Sequence, residues 1–156
     1  MKDIQALLQL LDLEPIEENI FRGQSASVGS QRVFGGQVLA QALQSAMRTV
    51  PEGRFVHSLH AYFILPGDVS LPIIFEVDRI RDGGSFTTRR VKAIQKGRAI
   101  FNMSASFQKQ QDGFDHQLSM PNVHPPEGLM SWDDLVEKMG DQLPEGIRRF
   151  LEISHP

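Results

Sequence analysis

Val33 to Val50, VFGGQVLAQALQSAMRTV, reads as a helix entered through a glycine pair. Val38, Leu39, Ala42, Leu43, Ala46 and Met47 recur at spacings of one, three and four, which predicts a single apolar stripe. Gln41, Gln44, Ser45 and Arg48 fall away from that stripe, and Pro51 stops the helix.

Working outward, four strand-like runs follow at short intervals. Phe55, His57, Leu59, Ala61, Phe63 and Leu65 fall on one strand face, and Val56, Ser58, His60, Tyr62 and Ile64 on the other. Both faces carry apolar groups, which predicts a central strand covered on both sides. Pro66-Gly67-Asp68 breaks it, Ile73–Ile80 makes the next strand, and Asp82-Gly83-Gly84 turns the chain. Phe86–Gln95 returns to a second turn at Lys96-Gly97. Ala99, Phe101, Met103, Ala105 and Phe107 then alternate with polar neighbours in the clearest period-two run of the chain. A helical stripe followed by a meander of long strands predicts an α+β architecture, a curved antiparallel sheet wrapped around one central helix. That is the plan of a hotdog fold.

Upstream, Asp3 is placed to cap a short helix whose Ile4, Leu7, Leu8 and Leu11 form an apolar face, expected to lie across the open end of the sheet. Leu13–Gly23 reads as a hairpin turning at Glu18-Asn19, and Gln24–Arg32 as a loop. The hotdog domain is assigned to residues 1–112. Residues 113–156, with prolines at 121, 125 and 126, read as a linker or tail. Within it, Ser131–Met139 carries a near capping box, and Ile147–Leu151 suits a second short helix.

The bulk properties narrow the function class. A length of 156 residues suits one domain with a proper core. The net charge of −3 gives no electrostatic reason to expect nucleic acid or an anionic membrane as partner. With no cysteine there is no disulfide, thiol nucleophile or Cys-based zinc site, which suits the cytoplasm. No signal peptide and no membrane span is legible.

Five stretches in fixed order carry a resemblance: FRGQS (Phe21–Ser25), RVFGGQVLAQAL (Arg32–Leu43), VHSLHAYFILPGD (Val56–Asp68), DGGSFTTRRVKAIQKG (Asp82–Gly97) and MSASFQ (Met103–Gln108). Together they resemble the amino-terminal half of TesB-type acyl-CoA thioesterase II. The resemblance implies two tandem hotdogs and hydrolysis of fatty acyl-CoA. It also implies that the catalytic Asp, Thr or Ser, and Gln belong to a second hotdog, which this chain is expected to end before.

Phe34, Gly35, Gly36, Gln37 and His57 are the expected substrate-binding residues. Without a Cβ at Gly35 and Gly36 a thioester carbonyl can approach the first helical N–H groups, as in an oxyanion hole; the same glycines equally allow a tight turn. His57 and His60 are predicted on opposite faces, so they do not act together. His57 is a candidate base or a hydrogen-bonded core residue. Asp68 reads as a turn residue. One of Arg89 and Arg90 is expected to pair with Glu76 or Asp78, leaving the other for the phosphates of CoA. Met47, Met103 and Phe107 read as core or acyl-chain lining. Gln108 matches the family's last-strand glutamine, but Phe34-Gly35-Gly36-Gln37 lacks an acid and Arg54-Phe55 lacks a hydroxyl. Glutamine orients water without deprotonating it, so no catalytic residue, cofactor or metal is assigned.

Three functions compete. The first is an acyl-CoA thioesterase represented by its non-catalytic half, using carboxylate-activated water. The second is an acyl-CoA-binding or scaffolding hotdog without turnover. The third, an enoyl-CoA hydratase-like hotdog, is weakened by the missing Asp. A homodimer, or pairing with a second hotdog, is expected through an open sheet edge.

Overall fold

The computed structural model describes residues 4–27 and 31–147. The proposed cap Asp3 and most of the short helix expected over 147–151 lie outside those residues. The chain divides into two compact units, with the boundary between Gln111 and Asp112.

In the first unit, α1 (Ile4–Leu11) leads into a hairpin of β1 (Glu14–Glu17) and β2 (Ile20–Gly23), and then into α2 (Gly35–Met47). Four long strands follow: β3 (Arg54–Phe63), β4 (Ile73–Asp82), β5 (Phe86–Gln95) and β6 (Arg98–Lys109). All six strands form one antiparallel sheet in the order β1-β2-β4-β5-β6-β3. This is a hotdog fold. The turn between β5 and β6 has positive φ at Lys96 and Gly97, the backbone that a two-residue hairpin needs to match strand twist.

Two expectations about β3 are corrected. It is not a central strand but the long edge of the sheet, paired only with β6, so the meander covers β4 to β6 alone. Both of its faces are apolar in composition, yet Phe55, Tyr62 and Phe63 are each about 60% exposed. The pairing also slips between Val56 and Ser58, where two β3 residues span one step of β6. This bulge at His57 reverses the alternation. Val56 lies opposite Phe107 and Leu59 opposite Ala105, both on the inner face, whereas Phe55 and His60 lie opposite Gln108 and Ser104 on the outer one. A period-two reading carried through position 57 therefore assigns Phe55 to the wrong face.

The inner face packs on α2 through Phe75, Val91, Ala93, Phe101, Met103, Ala105 and Phe107. Val38, Ala42 and Ala46 meet it, with Leu39 and Leu43 half-buried at its margin. The stripe is rotated from the predicted one. Met47 is exposed, and Gln37, Gln41 and Ser45 are buried instead. The reason is local. Gln41 Nε2 donates to the carbonyls of Leu10 and Gln24, both at 2.9 Å, so the amide knits α1 and the loop after β2 to the helix. Ser45 Oγ satisfies itself on the Ala42 carbonyl at 2.7 Å. Apolar periodicity alone does not register such partners.

α1 packs on α2, and Ile4, Leu7 and Leu8 are exposed. In the second unit α3 (Trp132–Met139) begins at a full capping box, with Ser131 Oγ accepting from the Asp134 N–H and the Asp134 carboxylate accepting from the Ser131 N–H.

Candidate functional site

The glycine end of α2 opens beside the edge strand. Phe34 is the N-cap residue and offers no side-chain hydrogen bond, so no side chain of the N-cap meets the N–H groups of Gly35 and Gly36. Next to them is a cleft of about 380 Å³ lined by Arg32, Val33, Gly35, Val38, Phe63, Leu65, Gly67, Ile100 and Phe101 among others. Most of its lining side chains are apolar, with Arg32 the charged one. Such a cavity suits an acyl chain bearing a carbonyl.

The glycines serve packing as well. A Cβ on Gly35 would lie 3.1 Å from the Phe63 ring, and one on Gly36 only 2.5 Å from the Phe34 ring. Gly35 is therefore what lets the edge strand's aromatic close on the helix entrance. The Phe34 ring folds back towards Gly36, which stays exposed.

The five expected binding residues do not converge. Gly35 lines the cleft; Phe34 and Gly36 flank it. Gln37 is buried, its Oε1 accepting from Ala26 N–H at 3.2 Å and its Nε2 donating to the Gln24 carbonyl at 3.0 Å. Those bonds fix the loop before α2. His57 stands six residues from Phe63 along β3, roughly 20 Å away at the usual strand rise. Because of the bulge its ring joins the outer face, in hydrogen-bond contact with Ser106 Oγ at 2.8 Å and edge-on to Phe86 at 5.8 Å between centroids. His57 and His60 thus share a face, contrary to the simple alternation. Gln108 lines a separate groove with Phe55 and His57.

The fold does bring Asp68 back to the helix entrance. Arg32 and Asp68 form an isolated antiparallel bridge, and Val33 N–H donates to the Gly67 carbonyl at 3.0 Å. The Asp68 carboxylate is already engaged, accepting from Ser70 Oγ at 2.6 Å, Ser70 N–H at 3.0 Å and Lys96 Nζ at 3.0 Å. The Ser70 hydroxyl above all holds its pKa down to about 2. An acid that weakly basic is a poor proton acceptor near neutrality. Gln95 was not singled out from sequence, yet its side chain pins this turn. It accepts from Asp68 N–H at 2.8 Å and donates to the carbonyls of Asp68 and Leu71.

Neither arginine of the Arg89-Arg90 pair is available to CoA in the way expected. Arg90 pairs with Asp78 at 2.8 Å, as the register predicts. Arg89 is fully buried with its guanidinium spent on Thr49, Asp82 and the carbonyls of Arg81 and Thr88.

Residues 22–108 match the family model described as the acyl-CoA thioesterase N-terminal domain. The chain belongs to the acyl-CoA thioesterase family. Acyl-CoA thioesterase 2 of Haemophilus influenzae is 45% identical over the full chain, which covers 55% of that protein. Acyl-coenzyme A thioesterase 8 of mouse is 46% identical over 87% of the chain and 44% of its own length. Among solved structures, acyl-CoA thioesterase II TesB2 from Mycobacterium marinum superposes with a TM-score of 0.70 at 51% identity, over 78% of this chain and 45% of that one. The chain spans about half the length of the curated relatives it matches.

Proposed function

We propose that this chain is the amino-terminal hotdog of an acyl-CoA thioesterase, the half that helps to bind acyl-CoA while a second hotdog supplies the catalytic carboxylate. The overall reaction is hydrolysis of the thioester to a fatty acid and CoA by activated water. The observation that carries this reading is the helix entrance itself. It offers a largely apolar cleft beside a helix start with no side-chain cap, but the acid that the fold brings there, Asp68, is held by Ser70 and Lys96.

The edge strand supports the second half of the proposal. β3 presents ten residues of backbone on one open side, with exposed Phe55, Leu59, Tyr62 and Phe63 along it. Long apolar edges are usually covered. A second hotdog extends the sheet there; without one, a second copy of this chain does so about a two-fold axis, with the glycine ends of the α2 helices near the junction. Residues 113–156 then act as the connector toward the second domain. We assign the protein to the cytoplasm; among the described residues no helix is long and apolar enough to cross a membrane.

Thiol release from palmitoyl-CoA and shorter esters tests the division of labour. The chain alone should hydrolyse them barely above background while still binding them. Robust turnover that His57→Ala abolishes would place the chemistry in this half. Binding without turnover, even with a second hotdog present, favours the scaffolding alternative instead.

A further inference from the structure

We infer that Arg54, Arg81 and Lys109, gathered at the Gly83-Gly84 turn, bind the phosphate groups at the nucleotide end of CoA; this rests on the acyl-CoA reading above. The described residues hold seven ion pairs, which occupy Arg22, Arg48, Arg79, Arg89, Arg90, Lys92 and Lys96. Arg54, Arg81 and Lys109 have no carboxylate partner among the described residues, and they meet at one corner of the sheet. Arg54 and Lys109 stand directly opposite each other on β3 and β6. Arg54 Nη2 donates to the carbonyls of Gly83 at 2.6 Å and Gly84 at 3.2 Å. The Arg81 guanidinium lies against the same turn, with Nε 3.1 Å from where a Cβ on Gly83 would be.

The nearby acids do not neutralise this corner. Asp82 is bound to Arg89 at 2.7 Å, and Glu52 makes no ion pair with Arg54. Arg54 and Arg81 both lie against this turn, and like charges there repel one another, a cost that a bound anion removes. A second observation points the same way. Arg54 Nη1 is buried without a hydrogen-bond partner, an expensive state for a charged donor. Once the guanidinium turns outward a phosphate oxygen supplies that acceptor, and guanidinium groups match phosphate in bidentate geometry. Alongside runs a groove of about 310 Å³ lined by Phe55, His57, Gln108 and Lys109 among others.

This corner and the Gly35 cleft lie at opposite ends of β3, nine residues or roughly 30 Å apart at the usual strand rise. One CoA does not need to span them. A two-fold junction along β3 is antiparallel, so the Arg54 end of one hotdog comes beside the helix entrance of the other. The corner thus holds the phosphates of a substrate whose thioester sits in the partner hotdog. A non-catalytic half would contribute to the reaction in this way.

Isothermal titration on the whole chain tests the site, with pyrophosphate, CoA and phosphate-free pantetheine as probes. The variant is Arg81→Gln with Lys109→Gln, leaving Arg54 to hold the turn; a thermal melt confirms its fold. Arg98→Gln, at the far end of β6, controls for net charge. Pyrophosphate and CoA should compete for the wild-type chain and for Arg98→Gln. Both should weaken ten-fold or more in the double variant, while pantetheine displaces neither. Equal pyrophosphate affinity in the double variant and the wild type overturns the site. Pyrophosphate binding that the double variant loses but CoA does not contest overturns its assignment to CoA, whatever the hydrolysis assay shows.

Discussion

Arg89 reaches across 40 residues of sequence to close on Thr49, donating from Nε to its hydroxyl and from Nη2 to its carbonyl, each at 2.8 Å. Thr49 follows the C-terminal end of α2, where backbone carbonyls lack helical partners and carry partial negative charge. The buried guanidinium satisfies the Thr49 carbonyl there and, through Asp82, joins the helix end to the turn between β4 and β5. Arg89→Ala should lower stability by about 3 kcal/mol, the lower part of the range for breaking a buried pair, because the carboxylate left behind is partly exposed. Urea melts of the two proteins check this. A loss below about 1 kcal/mol would show that water replaces the guanidinium without penalty.

Gly23 fixes how closely β2 approaches α2. A Cβ there would stand 2.9 Å from Cδ and Nε2 of Gln41, whose amide is held by two carbonyls and cannot swing aside. Gly23→Ala should destabilise by about 1–3 kcal/mol through overpacking. Gln41→Leu should cost a similar amount by leaving the Leu10 and Gln24 carbonyls unbonded. In the double variant the two losses should fall short of additive, since both act through the same amide. Strict additivity in the melts would refute the shared contact.

Acid should loosen the helix-entrance turn. Asp68 has its pKa lowered from 3.8 to about 2, chiefly by Ser70 and then by Lys96, and Asp82 is lowered in the same direction by Arg89. A carboxyl whose pKa is lower when folded stabilises the folded state above its unfolded value, and that stability is lost as pH falls through the folded one. Thermal melts between about pH 4 and about pH 2 should therefore show a steep decline. Asp68→Asn should flatten that decline. Parallel curves for the two proteins would mean that the Ser70 and Lys96 contacts do not persist in solution.

Much of this was legible in the chain itself. The helix entered at Gly35-Gly36, the turn at Lys96-Gly97 and the alternation from Ala99 to Phe107 all follow from local periodicity and turn chemistry. The errors arose where distant groups decide. Gln41 and Ser45 looked like surface residues because their buried partners are backbone carbonyls, which periodicity does not register. Phe55 was assigned to the wrong face because a bulge adds one residue without changing composition. β3 read as a central strand because Leu59, Tyr62 and Phe63 are apolar on both faces, yet in this chain it is an edge. Its composition fits the proposed sheet extended by a second hotdog. At the site, the backbone of the Gly35 entrance was anticipated, but the contacts that engage Gln37, Asp68 and Arg89 were not.

Co-expression with the carboxyl-terminal half of Haemophilus influenzae acyl-CoA thioesterase 2 joins assembly to activity in one experiment. The two pieces should co-purify as a stable complex that hydrolyses palmitoyl-CoA. Tyr62→Asp, which puts a charge on the outer face of the open edge strand, should abolish both co-purification and thiol release while leaving the thermal melt of the isolated chain near wild type. Full turnover by this chain without its partner, or a complex indifferent to Tyr62→Asp, would contradict the reading of the chain as a non-catalytic half joined through β3.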